Sequence, residues 1–384
     1  MDVDIAIIGG GVAGCTAAIA LAKFYNVVLI DKLECPPVRI GECLAPAARR
    51  ILSQLDLLSG LEKGGIVGHH ASHLRNIGTR SYWGSENVHI VDHLRNPDGF
   101  GWHLDRQAFE IYLRETALQR WVNSLWPARL ADADYEGHRW HLSATVTNEP
   151  GKQQTYNYTA KFVIDASGRQ SHFARKLGIM RQHLDKLVAC WATMPNFEQN
   201  QMSIISACES GWWYSAPLPH NKRVMAFQTD SDLLDGGTIR STDQFIKLAK
   251  SNKEMARILE RKPEEIELHK TVSANSTRLS QFAGQQWAAL GDAAISFDPL
   301  SSQGMFNAMA CALQLTELIK DVDMQGDIKL INTREFEMRY TSQINQIWTH
   351  YLKHKSIFYR EEGRWKNAPF WNRRNEQANA VLQH

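Results

Sequence analysis

Several features that would send a reading elsewhere are missing from this 384-residue chain. Its six cysteines (Cys15, Cys35, Cys43, Cys190, Cys208 and Cys311) form no C-x-x-C pair, which excludes a zinc ribbon or a thioredoxin-like dithiol. The first residues carry no basic segment followed by an apolar one, and no apolar run reaches the length of a bilayer span. With unpaired thiols, this predicts a cytoplasmic protein without membrane association. A formal net charge of +2 gives no electrostatic footprint for nucleic acid. Internal repeats and low-complexity segments are absent. Histidines cluster at His69, His70, His73, His89 and His93, but the four-residue spacings fall outside any helical pattern, so no metal site is expected.

What is present organises the chain from its first residues. Ile5–Ile8 is a short β-branched run suited to a buried strand, followed by Gly9-Gly10-Gly11-Val12-Ala13-Gly14. An Ala-rich helical run (Thr16–Phe24) and a second strand (Val27–Ile30) ending in Asp31 complete the unit. Gly9 permits the tight turn, Gly11 lets the backbone approach a pyrophosphate, and Gly14 lets helix and strand pack closely. The helix N-terminus offers free amides and a positive dipole end. Asp31 is placed to accept from an adenosine ribose. The motif predicts dinucleotide binding without choosing NAD or FAD. No second G-x-G-x-x-G follows, so a separate NAD(P)H domain is not expected.

Further along, the spacing predicts helices over Ala47–Leu58, Gln107–Trp121, Thr242–Leu259 and Met305–Ile319. Short strands are expected at Arg80–Trp83 and Val88–Val91, and a small β-meander over Leu125–Glu149. Lys161–Asp165 reads as a buried strand entering the turn Ala166-Ser167-Gly168. Four successive strands, Leu187–Thr193, Met202–Ala207, Trp212–Ala216 and Val224–Thr229, have antiparallel texture. The strand Trp287–Leu290 ends in Gly291-Asp292. The fold class is therefore α/β: a Rossmann-type dinucleotide-binding domain with an inserted antiparallel sheet and a helical tail. The expected boundaries are 1–75, 99–185 and 285–330 for the dinucleotide-binding domain, 76–98 and 186–284 for the substrate domain, and 331–384 for the tail. Aromatic and Arg residues crowd that tail (Trp348, Tyr351, Phe358, Tyr359, Trp365, Phe370, Trp371, Arg373, Arg374), where they either pack onto the dinucleotide-binding domain, the favoured reading, or form a docking surface.

The order G-x-G-x-x-G, D-A-S-G (Asp165–Gly168), G-D (Gly291-Asp292) resembles the flavoprotein monooxygenases of the aromatic-hydroxylase type, including flavin-dependent halogenases. Finer texture at Gly41-Glu42-Cys43-Leu44-Ala45-Pro46, Gly101–Arg106, Gly211–Pro219 and Phe297–Gly304 is similar to the flavoproteins that mature tryptophylquinone cofactors. That resemblance implies FAD as cofactor, held by Gly9, Gly11, Val12, Ala13, Gly14, Asp31, Lys32, Glu42, Arg106, Asp165, Gly168, Gly291, Asp292, Pro299, Ser302, Gly304 and Met305. Asp292 would bond the ribityl chain, and the helix opening near Gly304 would point its N-terminus at the flavin O2, where negative charge gathers on reduction. The implied reaction is hydroxylation of a tryptophan in the precursor of a quinoprotein amino-acid oxidase, with electrons from NAD(P)H or a separate reductase. Two departures argue against halogenation: residues 69–98 hold no lysine to handle hypohalite, the nearest being Lys63, and the halogenase W-x-W-x-I-P reads Trp212-Trp213-Tyr214-Ser215-Ala216-Pro217.

Hydroxylating an electron-rich indole needs no protein nucleophile. The site must place the ring, exclude water and supply a proton. Glu42 and His103 are the candidate proton handlers, with a simply packed ring the other reading for His103. Trp212, Trp213 and Tyr214 are the candidate pocket walls, against a reading as sheet core, with Trp212 and Tyr214 on one face. The rivals are a small-molecule aromatic hydroxylase or halogenase, and a flavin-bound chaperone of the oxidase precursor.

Overall fold

The computed structural model describes residues 1–63, 73–149, 152–261, 265–323 and 333–382. The strand Asp2–Ile8 lies at the centre of an eight-stranded sheet, parallel to Val27–Ile30 on one side and Lys152–Asp165 on the other. Asn123–Leu125 and Trp287–Ala289 extend the parallel set outward. Lys152–Asp165 also pairs antiparallel with Arg139–Glu149, which pairs with Arg129–Glu136, giving the expected meander.

The glycines after the first strand act as the spacing implies. Gly9 has φ +114°, and a Cβ there would lie 2.4 Å from the Ala166 carbonyl oxygen. A Cβ on Gly14 would lie 1.8 Å from the Gly9 carbonyl oxygen, so only glycine lets the helix Val12–Leu21 start against the strand. That helix is buried along almost its whole length, packed by the helices Arg106–Gln119 and Gly304–Val322. The latter turns Met305, Met309, Ala312, Thr316 and Ile319 inward at three- and four-residue intervals.

A second sheet runs in the order Glu267–Leu268, Leu187–Pro195, Lys222–Asp230, Gly211–Leu218, Ser203–Cys208, Gly78–Tyr82, His89–Asp92. It unites the two segments expected to form the inserted sheet. It is not wholly antiparallel: Ser203–Cys208 runs parallel to Gly78–Tyr82. Two expected helices are broken. Ala47–Leu58 divides into Ala48–Gln54 and Leu58–Glu62 around Asp56, which has φ +56°. Thr242–Leu259 divides at Ser251, and the Asn252 side chain caps the second piece by accepting from the Glu254 and Met255 amides. His69 and His70 lie outside the described residues. His73 is in a strand, His89 is on an edge strand, and no group of three metal-ligating side chains occurs among the described residues.

The tail does more than pack onto the nucleotide-binding half. Its helix Thr333–Glu361 buries Phe336, Tyr340, Ile344, Trp348 and Tyr351 in the large core around the first sheet. Tyr359, Phe370 and Trp371 bury instead against Trp212, with Trp83 and Trp365 beside them, on the second sheet. Trp83 meets Trp212, Tyr359 and Trp371 edge-on at 6.3, 5.8 and 5.3 Å. Each fully buried side chain of this size contributes roughly 2–3 kcal/mol, so the tail is a clasp across both sheets. All six cysteines are free, and no helix among the described residues is long and apolar enough to cross a membrane.

Candidate active site

A cavity of about 850 Å³ runs from the glycine turn to the inner face of the second sheet. At the glycine end it is lined by Gly9, Gly11, Val12, Ala13, Asp31 and Lys32. A Cβ on Gly11 would meet nothing within 4 Å, so this backbone faces open space, as approach of a pyrophosphate requires. Gly14 does not line the cavity; it serves the close packing behind it. Lys32 donates to Gln170 Oε1 at 2.6 Å, and both residues line the cavity.

Asp31 is held by more than sequence spacing suggests. Its carboxylate accepts from the amides of Gly10 (2.6 Å) and Leu33 (2.7 Å) and is paired with Arg114 at 2.9 Å. Arg114 also donates to the carbonyls of Gly10, Leu33 and Glu34, and its guanidinium lies 4.9 Å from the Trp126 ring centre. It therefore staples the glycine turn to the end of the second strand. The sequence signal that would have found it is the polar stripe Arg106, Glu110, Arg114, one step round the helix from Phe109, Leu113 and Ala117.

Midway along, Glu42 and Arg106 border the cavity. Glu42 is 3% exposed; Oε2 accepts from the Gly41 amide at 2.9 Å and Oε1 from the Tyr214 hydroxyl at 2.6 Å. Burial, then the Glu42 carboxylate, push the Tyr214 phenol well above its usual range, so it stays a neutral donor. Arg106 is braced by the Gly41 carbonyl and by Glu110 at 2.7 Å, and its buried Nε has no partner. Cys43 is chemically quiet: burial pushes its thiol up to about 12, and its sulfur accepts from Asn76 at 3.2 Å.

The opposite wall is the loop Phe297–Ser302 with Gly304 and Met305. Asp298 caps the short turn Pro299–Ser301, Ser302 is left-handed at φ +49°, and the long helix then starts at Gly304 with no side-chain cap. Its first-turn amides are thus left available to an electron-rich ligand atom. Gly168 and Asp292 also line the cavity, with Arg169 Nε 3.8 Å from the Asp292 carboxylate. Asp165 and Gly291 do not. Asp165 is buried behind the D-A-S-G turn, accepting from Ser167 N, Ser167 Oγ and Ala174 N; Gly291 (φ +60°) packs against Ala13 and Ala308. Both lie behind residues that line the cavity, Ala166 and Ser167 in one case and Leu290 and Asp292 in the other.

On the second sheet, Trp212 and Tyr214 line the cavity, as their shared face implies. Trp213 points to the other side, against Phe227 and Phe245 with ring centres 4.8 and 5.5 Å away, and is no pocket wall. His103 is also displaced from the role of proton handler. Its strand aims the ring away from the cavity, where Nε2 bonds the Gln201 carbonyl at 3.0 Å and burial lowers its pKa to about 4. Two wall residues carried no motif. Trp191 stacks on His269 at 3.9 Å with an interplanar angle of 19°, and its indole N–H donates to the Lys270 carbonyl. The pairing joins the strand Leu187–Pro195 to the loop after Glu267–Leu268, far apart in sequence.

The volume, the open glycine backbone, the uncapped helix start and the unpartnered Arg106 N–H together fit FAD. The tryptophan halogenase family model matches residues 4–60 and 88–383. The chain belongs to the tryptophan halogenase family. It is therefore an FAD-dependent oxidoreductase. It is 28% identical to the putative FAD-dependent oxidoreductase LodB of Marinomonas mediterranea, over 99% of this chain and 98% of that one. It is 24% identical to a tryptophan 2-halogenase of Chondromyces crocatus, over 87% of this chain and 64% of the halogenase. Among solved structures, the flavin-dependent halogenase CmlS superposes with a TM-score of 0.80 at 22% identity, covering 100% of this chain and 70% of CmlS. QhpG, a peptidyl tryptophan dihydroxylase essential for tryptophylquinone cofactor biogenesis, gives 0.73 at 19% identity, covering 97% of this chain and 79% of QhpG.

Proposed function

We propose that this enzyme hydroxylates a tryptophan side chain of a partner polypeptide, the precursor of a tryptophylquinone-type amino-acid oxidase. Bound and reduced, FAD supplies an activated oxygen atom drawn from dioxygen. The protein's own residues do the remaining work. Gly9, Gly11, Val12 and Ala13 take the pyrophosphate, Asp31 and Arg114 the adenosine side, and Asp292 with Arg106 the middle of the cofactor. The Pro299–Gly304 loop and the following helix start hold the flavin end. Trp212 and Trp191 present aromatic faces to an indole, and the Tyr214–Glu42 pair holds an exchangeable proton beside it.

The observation that carries this reading is the carboxylate–phenol pair in the cavity wall beside Trp212, where Tyr214 donates to Glu42 at 2.6 Å. End-to-end likeness to an oxidoreductase of the same length, and likeness in fold to a peptidyl tryptophan dihydroxylase, support the same reading. Halogenation is the second reading. One observation favours it: Lys270, remote in sequence from the lysine-free stretch 69–98, borders the cavity with His269.

The test is intact mass after turnover. FAD-loaded, reduced enzyme is exposed to air with chloride and bromide present, with free tryptophan in one sample and an immature tryptophylquinone precursor in the other. Oxygen atoms gained by the precursor's tryptophan support the proposal. A halogenated product that disappears in Lys270→Met establishes the second reading. Oxygen gained only by free tryptophan would replace the polypeptide substrate with a small molecule.

A further inference from the structure

We infer that Tyr359, in the tail and outside the cavity, is a positioning residue for the flavin-facing loop. Its helix carries Tyr351, Lys355 and Tyr359 at four-residue intervals, hence on one face. All three converge on Asp298, the buried residue that caps the turn Pro299–Ser301. The Tyr359 hydroxyl donates to Asp298 Oδ2 at 2.8 Å, and the Asp298 amide donates to the Tyr351 hydroxyl at 2.9 Å. Lys355 Nζ lies 3.8 Å from Oδ2 and is anchored by Asp185 at 2.6 Å and by Ser276 Oγ at 2.7 Å. The other carboxylate oxygen, Oδ1, is committed to the Leu300 amide at 2.9 Å.

Tyr359 has a second contact. Its hydroxyl oxygen accepts from the Trp212 indole N–H at 3.1 Å. One hydroxyl thus joins two walls of the cavity: the loop of Pro299 and Ser302, and the sheet residue Trp212. The Arg374 guanidinium, 5.1 Å from the Tyr359 ring centre and tied to Asp230 at 2.8 Å, fixes the ring. The pocket's width at the flavin end is set by a residue some sixty positions away from the loop it holds. Removing the hydroxyl leaves the buried Trp212 indole N–H unpaired and leaves Asp298 Oδ2 with only the Lys355 ammonium, 3.8 Å away.

Tyr359→Phe keeps the ring and deletes both bonds. Tyr112→Phe is the control: it also loses a buried phenol bond, to the Leu57 carbonyl at 2.9 Å, away from the cavity. FAD affinity is measured by titrating apoprotein, together with the visible flavin spectrum, the flavin reduction potential and thermal melting. Tyr359→Phe is expected to bind FAD roughly five- to fifty-fold more weakly, with a displaced absorption band and potential, while Tyr112→Phe lowers melting temperature alone. FAD binding and spectrum unchanged in Tyr359→Phe, or shifted equally in both variants, would overturn the inference. If Tyr359→Phe does not fold, Tyr351→Phe, which frees the Asp298 amide at the same loop, takes its place under the same criteria. These readouts report on FAD alone and stand whatever the substrate proves to be.

Discussion

Tyr214, on the second sheet, donates to Glu42, in the loop before Cys43, Oη to Oε1 at 2.6 Å in the cavity wall. A short bond between a phenol that cannot ionise and a carboxylate that it stabilises makes one proton-holding unit from two distant segments. If that unit supplies the proton in oxygen transfer, Glu42→Gln slows the oxygenation step by about 10²-fold or more. Tyr214→Phe slows it less, and the double variant is no slower than Glu42→Gln alone, because the two act together. Rapid-mixing measurement of flavin reoxidation coupled to product formation gives the comparison. Additive losses would separate the residues into independent roles.

His103 should govern stability instead of turnover. Its folded-state pKa, about 4, lies below the unfolded value near 6.5, because burial disfavours the imidazolium. The unfolded chain therefore takes up the proton first as pH falls. The stability His103 contributes is complete above pH 6.5, declines between 6.5 and 4, and amounts to roughly 3 kcal/mol over that window. His103→Gln removes the titration. Chemical unfolding at pH 7.5 and 5 should show a smaller pH difference for the variant than for the parent, with turnover per folded, FAD-loaded enzyme nearly unchanged at pH 7.5.

What was legible in the sequence is what local chemistry determines. The glycine turn is readable because a Cβ at Gly9 or Gly14 would strike backbone a few residues away or in the adjoining strand. The Trp212/Trp213 alternation is readable because strand side chains change face at every residue. The placement of His103 was not, because its partner is the backbone carbonyl of Gln201, 98 residues on, in the loop before the strand Ser203–Cys208. Arg114, the Trp191–His269 stack and the Tyr359–Asp298 bond share that difficulty. Each depends on a partner about sixty or more residues distant; only Arg114 leaves a periodic mark, the polar stripe it shares with Arg106 and Glu110, and that stripe does not name its partner.

The two adjacent tryptophans should fail in different ways. Trp213 fills the far side of the sheet, so Trp213→Ala opens a cavity between Phe227 and Phe245 and costs about 3–5 kcal/mol. Trp212→Phe retains most of the apolar volume but removes the N–H that reaches Tyr359 and part of the surface facing the cavity. It should raise KM for the aromatic substrate while shifting the melting temperature by only a few degrees. Melting curves and substrate titrations on both variants check the contrast.

Arg114 offers the sharpest test of how the nucleotide end is built. Its charge is buried, and it makes an ion pair with Asp31 as well as bonds to three backbone carbonyls. Truncation to Met leaves Asp31 with only the Gly10 and Leu33 amides and frees the Gly10 carbonyl beside the phosphate turn. Removing one partner of such a pair is costly, about 3–5 kcal/mol, because the other charge stays in place without compensation. Part of that cost should appear as lost FAD affinity, since the turn and the carboxylate that face the adenosine side both move. Arg114→Lys restores charge but not the forked geometry, and should recover stability better than affinity. Isothermal titration of FAD into the apoprotein, with melting curves of the same samples, separates the two. An Arg114→Met protein that is destabilised yet binds FAD like the parent would confine Arg114 to the fold, and leave Asp31 positioned by the two amides alone.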